Sequence, residues 1–153
     1  MKSVVGFTFF LLFLAGFAFV FLQSKQSGSE RSDEARLLPL VGVDWRPISI
    51  EGRPVADDTE SFVRFEVDGK IVGHGGCNRF FGSYDLEDSG FQIGPLGSTQ
   101  MACPEPAMTD DRQLLRAIEQ MKHVAVRSES MRMLNADNEK IADFVPATHP
   151  AAE

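Results

Sequence analysis

The sequence predicts an α+β domain in which a curled, mainly antiparallel sheet, or partly open barrel, packs with one or two helices. Several short segments alternate apolar and polar residues, which is typical of half-buried strands. An Asp68-Gly69 pair joins two of these segments, and one amphipathic helical pattern follows Pro104 and Pro106. Together these features predict about seven or eight short strands, mostly in hairpins.

The clearest hairpin signal lies at residues 62–73. Val63, Phe65 and Val67 fall on one face of the first segment, and residues 70–73 form the second. Because both positions of a two-residue Asp-Gly turn favour positive φ, we expect a two-residue hairpin at Asp68-Gly69.

The remaining elements follow from the same periodicities. Ile48 and Ile50 alternate with polar residues, and residues 51–61 form a polar loop. Further strand candidates are residues 80–84, 91–93, 97–101, 124–126, 131–133 and 141–144, the last two joined by a turn at 135–138.

A helix is expected to begin near Thr109 as the N-cap and to end near residues 121–123. Asp110 and Asp111 then occupy its positive first turn. Its apolar face is formed by residues at helical spacing, namely Leu114, Leu115, Ile118 and Met121. Trp45 and the methionines Met101, Met108, Met121, Met131 and Met133 are expected to fill the core.

Residues 4–22 are nineteen consecutive uncharged residues. As a helix they would extend roughly 28 Å, which is close to the thickness of a bilayer core. The segment at 1–22 is therefore a membrane anchor or a cleavable secretory signal, and both place the rest of the chain outside the cytoplasm. It would lie on the periplasmic side, anchored to the inner membrane or secreted after cleavage.

Residues 23–36 are polar and charged without a large apolar side chain, which predicts a flexible linker spanning about 20 Å. The folded domain is expected at 37–147, with a disordered tail at 148–153. From residue 37 onward, 11 Lys and Arg stand against 19 Asp and Glu, a net charge of −8. This acidic balance disfavours nucleic-acid binding, which requires a basic surface.

The two cysteines, Cys77 and Cys103, are expected to form a disulfide, because cysteine pairs in an oxidising compartment usually oxidise. Two alternatives remain open. Cys77 could be a thiolate nucleophile, with His74 or His123 as the base and the Gly75 and Gly76 amides as oxyanion donors. Cys77 and Cys103 could also bind a metal together with these histidines, although the spacing matches no compact zinc motif.

Two segments carry a resemblance to a known family. They read Gly-Cys-Asn-Arg-Phe-Phe-Gly-Ser-Tyr at residues 76–84 and Ser-Thr-Gln-Met-Ala-Cys at residues 98–103. In this order they resemble the META domain family of HslJ-like heat-shock proteins, over roughly residues 40–145. The matching positions of the two motifs are Gly76, Cys77, Asn78, Phe80, Gly82, Tyr84, Ser98, Thr99, Met101 and Cys103. Trp45 and the helix positions Met108, Asp111, Leu114 and Ile118 match as well.

The resemblance implies a compact α+β fold, an envelope location and a link to heat or novobiocin-type antibiotic stress. It implies no established catalytic activity and no cofactor. We therefore expect a non-catalytic domain that binds an envelope protein or component, and the alternative is a thiol- or metal-dependent enzyme using Cys77 with a histidine. Two positions depart from the family pattern: Gln100 stands where a basic residue is frequent, and Asp111 stands where Glu is usual.

Overall fold

The computed structural model describes residues 39–56 and 59–147. The predicted anchor or signal at 1–22, the linker at 23–36 and the tail at 148–153 lie outside these residues. Within the described ranges, no helix has both the length and the hydropathy needed to cross a bilayer.

The described residues form ten strands and one helix. The strands are β1 Trp45–Ile50, β2 Arg53–Pro54, β3 Phe62–Phe65, β4 Lys70–His74, β5 Arg79–Glu87, β6 Gly90–Ile93, β7 Gly97–Ser98, β8 His123–Arg127, β9 Ser130–Leu134 and β10 Lys140–Pro146. The helix, α1, spans Ala107–Gln120 between β7 and β8.

All ten strands belong to one mainly antiparallel sheet with the order β6-β5-β4-β3-β1-β10-β9-β8. The short strands β2 and β7 pair with β1 and β5, outside this path. The sheet is neither closed nor strongly curled, so the expected barrel-like curl is wrong. The physical reason is that the edge strands β6 and β8 do not pair with each other. One backbone hydrogen bond, from the N–H of Phe91 to the carbonyl of Lys122 (2.8 Å), joins β6 to the residue before β8.

The core lies between the helix and one face of the sheet. Trp45, Phe65 and Phe144 are among the largest fully buried side chains, and Leu114 and Ile118 of α1 are also buried. Trp45 donates its indole N–H to the carbonyl of Leu40 at 2.9 Å. Without this hydrogen bond the indole N–H would be buried with no partner. The core role predicted for Trp45 is confirmed.

The hairpin of β3 and β4 is confirmed, but its loop is longer than expected. Glu66 donates its N–H to the carbonyl of Lys70 at 2.8 Å, and Gly69 alone in the turn has a positive φ, of 78°. The loop therefore has three residues, Val67, Asp68 and Gly69, with glycine at the left-handed position. As a turn residue Val67 is 77% exposed, so its predicted place on one strand face with Val63 and Phe65 is wrong.

The helix begins two residues before the predicted cap. Pro106 is the N-cap and makes no side-chain capping bond. The carboxylate of Glu105 accepts the N–H of Thr109 at 3.1 Å, and the same N–H donates to the carbonyl of Pro106 at 2.9 Å. Hydrogen bonding by the Thr109 side chain, followed by its N–H and the charge of Arg112, lowers the pKa of Glu105.

Candidate functional site

The two family-like segments meet at the end of the sheet where β4 turns into β5. Cys77 lies in this turn and is 3% exposed, whereas Cys103 lies in the segment between β7 and α1. The two residues form a disulfide with Cα atoms 5.9 Å apart. The predicted pairing is confirmed, and the bridge hints at an oxidising, extracytoplasmic location.

Asn78 holds three segments of the chain together beneath this disulfide. Its side-chain carbonyl accepts the hydroxyl of Thr99 at 3.0 Å and the main-chain N–H of Met101 at 2.7 Å. Its side-chain amide donates to Asp111 Oδ2 at 3.0 Å, and its own main-chain N–H donates to Asp111 Oδ1 at 2.9 Å. Asn78 therefore joins the β4–β5 turn to the segment after β7 and to the helix.

Asp111 is the partner that the sequence did not reveal. The sequence predicts it in the positive first turn of the helix, but it begins the second turn and is only 4% exposed. The helix phase contains a signal for this: Asp111 precedes Leu114 by three residues and Ile118 by seven, so it shares their buried face. We call Asn78, Asp111, Thr99 and the Cys77–Cys103 disulfide the motif brace.

Two glycines leave room for this brace. A Cβ atom on Gly75 would lie 2.2 Å from Asp111 Oδ1, so only glycine fits against the carboxylate there. Gly76 has a φ of 106°, a conformation that other residues rarely adopt, and a Cβ there would lie 3.0 Å from the Ser61 hydroxyl.

The aromatic motif residues of β5 belong to the core. Phe80 and Tyr84 are buried on the inner face, while Phe81 between them is 63% exposed. The hydroxyl of Tyr84 donates to the carbonyl of Glu66 at 2.7 Å, and its ring packs edge-on against Phe65. Burial, followed by the charges of Asp68 and Glu66, raises the pKa of Tyr84 to about 12.

The other motif positions are structural or exposed. Gly82 faces Leu96, whose side chain a Cβ would meet at 2.6 Å, and Ser98 pairs with Phe80 in the short ladder of β5 and β7. Met101 contributes its main-chain N–H to Asn78, but its residue is 60% exposed. The expected core role of Met101 is therefore wrong, whereas Met131 and Met133 are buried as predicted.

Of the two histidines in the alternative sites, the structure places only His74 in the turn that carries Cys77. His74 accepts the N–H of Gly76 at 3.1 Å and so caps the same turn, but His123 lies beside Gly90, past the far end of β5. Strand β5, whose eight steps correspond to about 25 Å, runs between the turn with Cys77 and the turn beside His123. Within residues 39–56 and 59–147, no three His, Cys, Asp or Glu residues are grouped so that they could hold a metal ion.

Comparisons with solved structures support the same fold. An NMR structure of a protein from Burkholderia xenovorans is 25% identical, with a TM-score of 0.58, and the match covers 75% of this chain and 88% of that one. A crystal structure of a DUF4847 family protein from Bacteroides vulgatus is 11% identical, with a TM-score of 0.54, over 74% of this chain and 99% of that one, and shows the fold alone.

A comparison with curated proteins gives no match. The family model described as META domain matches residues 38–148, which is most of the chain and includes the whole motif brace. The expectation drawn from the two segments is thereby confirmed: this chain belongs to the META domain family.

Proposed function

We propose that this protein is a non-catalytic, HslJ-like domain of the cell envelope, which supports tolerance of heat or antibiotic stress by binding a protein or another envelope component. Its family membership and its disulfide support this proposal. In the proposal the domain lies on the periplasmic side, where the hydrophobic segment at 4–22 either anchors it to the inner membrane or is cleaved after export.

The observation that carries the proposal is that the motif residues bond to one another within the domain. The Asn78 side chain accepts two hydrogen bonds and donates one, all within the domain. Both carboxylate oxygens of Asp111 accept hydrogen bonds from Asn78, and both cysteines are oxidised. These hydrogen bonds lie within the domain, which supports a structural role for the motif residues.

The first test is the survival of a deletion strain after heat shock and after novobiocin treatment. We expect reduced survival in at least one condition, restored by the full-length gene. Unchanged survival in both conditions would contradict the proposed role in stress tolerance.

The second test separates binding from thiol chemistry. The deletion strain is complemented with full-length protein carrying His74→Ala or His123→Ala, and the melting temperature of each variant is measured in parallel. If the domain acts by binding and not by histidine chemistry, every folded variant should restore survival. Loss of rescue by a folded histidine variant would instead favour the enzymatic alternative based on Cys77. Crosslinking in intact cells then identifies what the domain contacts.

A further inference from the structure

The face of the sheet opposite the helix carries an unusual charge for this protein. In the half formed by β1, β10, β9 and β8, Trp45, Met131, Met133 and Phe144 point into the core. Strand alternation therefore places the neighbouring side chains on the outer face, as the paired positions Arg46–Val145 and Arg132–Asp143 show. We call this half the outer basic face.

The outer basic face is positive in a domain that is negative overall. It contains four basic residues and one acidic residue, namely Arg46, Arg127, Arg132, Lys140 and Asp143. Arg132 and Lys140 both contact the carboxylate of Asp143, at 2.8 and 2.9 Å. Burial acts to raise the pKa of Asp143, but hydrogen bonds from these two cations outweigh it and lower the pKa, so the carboxylate is charged at neutral pH. Counted on these five side chains alone, the formal net charge is +3 at neutral pH.

A groove of about 610 Å³ lies on this face. Its lining includes the apolar residues Ile48, Ala125 and Leu134, and its charged lining residues are Arg127, Arg132 and Asp143. Among the described residues Arg127 has no ion-pair partner, so its guanidinium is available to an external anion. The surface thus combines cationic side chains with apolar contacts, as bilayer interfaces favour.

The predicted anchor and linker indicate which anion lies nearest to the outer basic face. If residues 4–22 anchor the chain, a linker at 23–36 with an r.m.s. span of about 20 Å keeps the domain close to the bilayer. An anionic leaflet repels the acidic remainder of the domain and attracts the outer basic face, so electrostatics select one orientation. Apolar side chains at the groove then reach the headgroup region.

We propose that the outer basic face docks on the anionic phospholipid headgroups of the membrane to which the domain is tethered. This proposal rests on the envelope location in the proposed function and deepens it by naming the envelope component and the surface that binds it. Arg127 and Arg132 contact lipid phosphates, and the exposed residue Ala125 lies at the membrane surface.

The test uses the full-length chain carrying Ala125→Trp, reconstituted in vesicles with a headgroup-labelled quenching lipid. The vesicles contain phosphatidylcholine alone or with roughly a quarter phosphatidylglycerol. Trp45 is 2% exposed and provides a constant background, and Glu119→Trp on the exposed side of α1 is the matched control. We expect strong quenching at position 125 only in the anionic vesicles, and its loss in about 0.5 M salt, where the Debye length is a few ångströms. Equal quenching in both vesicle types, or quenching that salt does not change, would overturn the inference.

Charge variants test the same contact quantitatively. Arg127→Ala should lower the ratio of docked to undocked protein about five-fold, whereas Arg116→Ala, which removes the same charge from the exposed side of the helix, should leave it unchanged. Equal effects of the two variants would show that net charge, rather than this face, governs binding. Resistance of the protein to carbonate extraction is measured in parallel. If the protein resists carbonate extraction but its fluorescence is not quenched, only the docking is contradicted. If it is extracted and not quenched, the membrane-anchored location is contradicted as well.

Discussion

Asn78 and Asp111, thirty-three residues apart in the chain, are joined by two hydrogen bonds of 2.9 and 3.0 Å in the buried interior. One bond comes from the main chain of Asn78 and the other from its side chain. This pair fixes the first part of the helix to the turn that carries Cys77, so the helix and the disulfide are held by a common residue.

Replacing Asn78 should destabilise the domain strongly. In Asn78→Ala, the N–H of Met101 and one oxygen of Asp111 lose their partner, and the Asp111 carboxylate is buried. We expect a loss of about 3 kcal/mol in the free energy of unfolding. Urea unfolding followed by the fluorescence of Trp45, the single tryptophan, measures it. The exposed neighbour Gln100→Ala is the control, and a similar effect of both variants would contradict the bracing role of Asn78.

Gly75 and Asp111 should be energetically coupled. In Gly75→Ala the new methyl group meets Asp111 Oδ1, and we expect a cost of roughly 1–3 kcal/mol from overpacking. In an Asp111→Ala background this carboxylate is gone, so the same glycine substitution should cost clearly less. A double-mutant cycle in urea measures the coupling. Strictly additive effects would mean that the close approach of these two residues has no energetic consequence.

Tyr84 is the single tyrosine of the chain, so its ionisation can be followed without interference. Burial raises its pKa to about 12 in the folded protein, against about 10 for an exposed tyrosine. The Tyr84 hydroxyl therefore loses its proton at a lower pH in the unfolded chain than in the folded one. Its burial contributes stability that is present below about pH 10 and is lost as pH rises toward 12. Tyrosinate absorbance should show a midpoint near 12 in the native protein and near 10 in denaturant. A native midpoint near 10 would show that the ring is accessible to solvent.

Much of the sheet could be predicted from local patterns. The strand alternation at 62–73 and the Asp68-Gly69 pair located the β3–β4 hairpin, because turn geometry and side-chain period are both local properties. The two-residue strand β2 at Arg53–Pro54 was missed, since two residues show no periodicity. The predicted curl of the sheet was also wrong, because curl depends on whether the edge strands, which are distant in the chain, pair with each other.

The candidate site was predictable only in part. Two cysteines and an expected oxidising compartment sufficed to predict the Cys77–Cys103 bridge. The role of Asn78 could be anticipated only as a local backbone contact, because its partners Thr99 and Asp111 lie far along the chain. A charged residue is also assigned to solvent by default, and the burial of Asp111 is evident only from its phase with Leu114.

The disulfide should contribute substantially to stability. It connects residues 26 positions apart, and Cys77→Ser or Cys103→Ser should cost about 3 kcal/mol in the free energy of unfolding. Reduction of the wild-type protein should produce a similar loss, whereas the same reductant should leave the serine variants unchanged. If the melting temperature barely moved in either variant, the bridge would have no part in holding the brace together.

The central claim is that Cys77 is part of an oxidised structural brace and not a free nucleophile. The most direct measurement is mass spectrometry of the protein isolated from its own cells, alkylated without prior reduction. The account predicts no alkylation at Cys77 or Cys103 until a reductant is added. Alkylation of both cysteines in the unreduced protein would contradict it and would restore the thiol-based alternative.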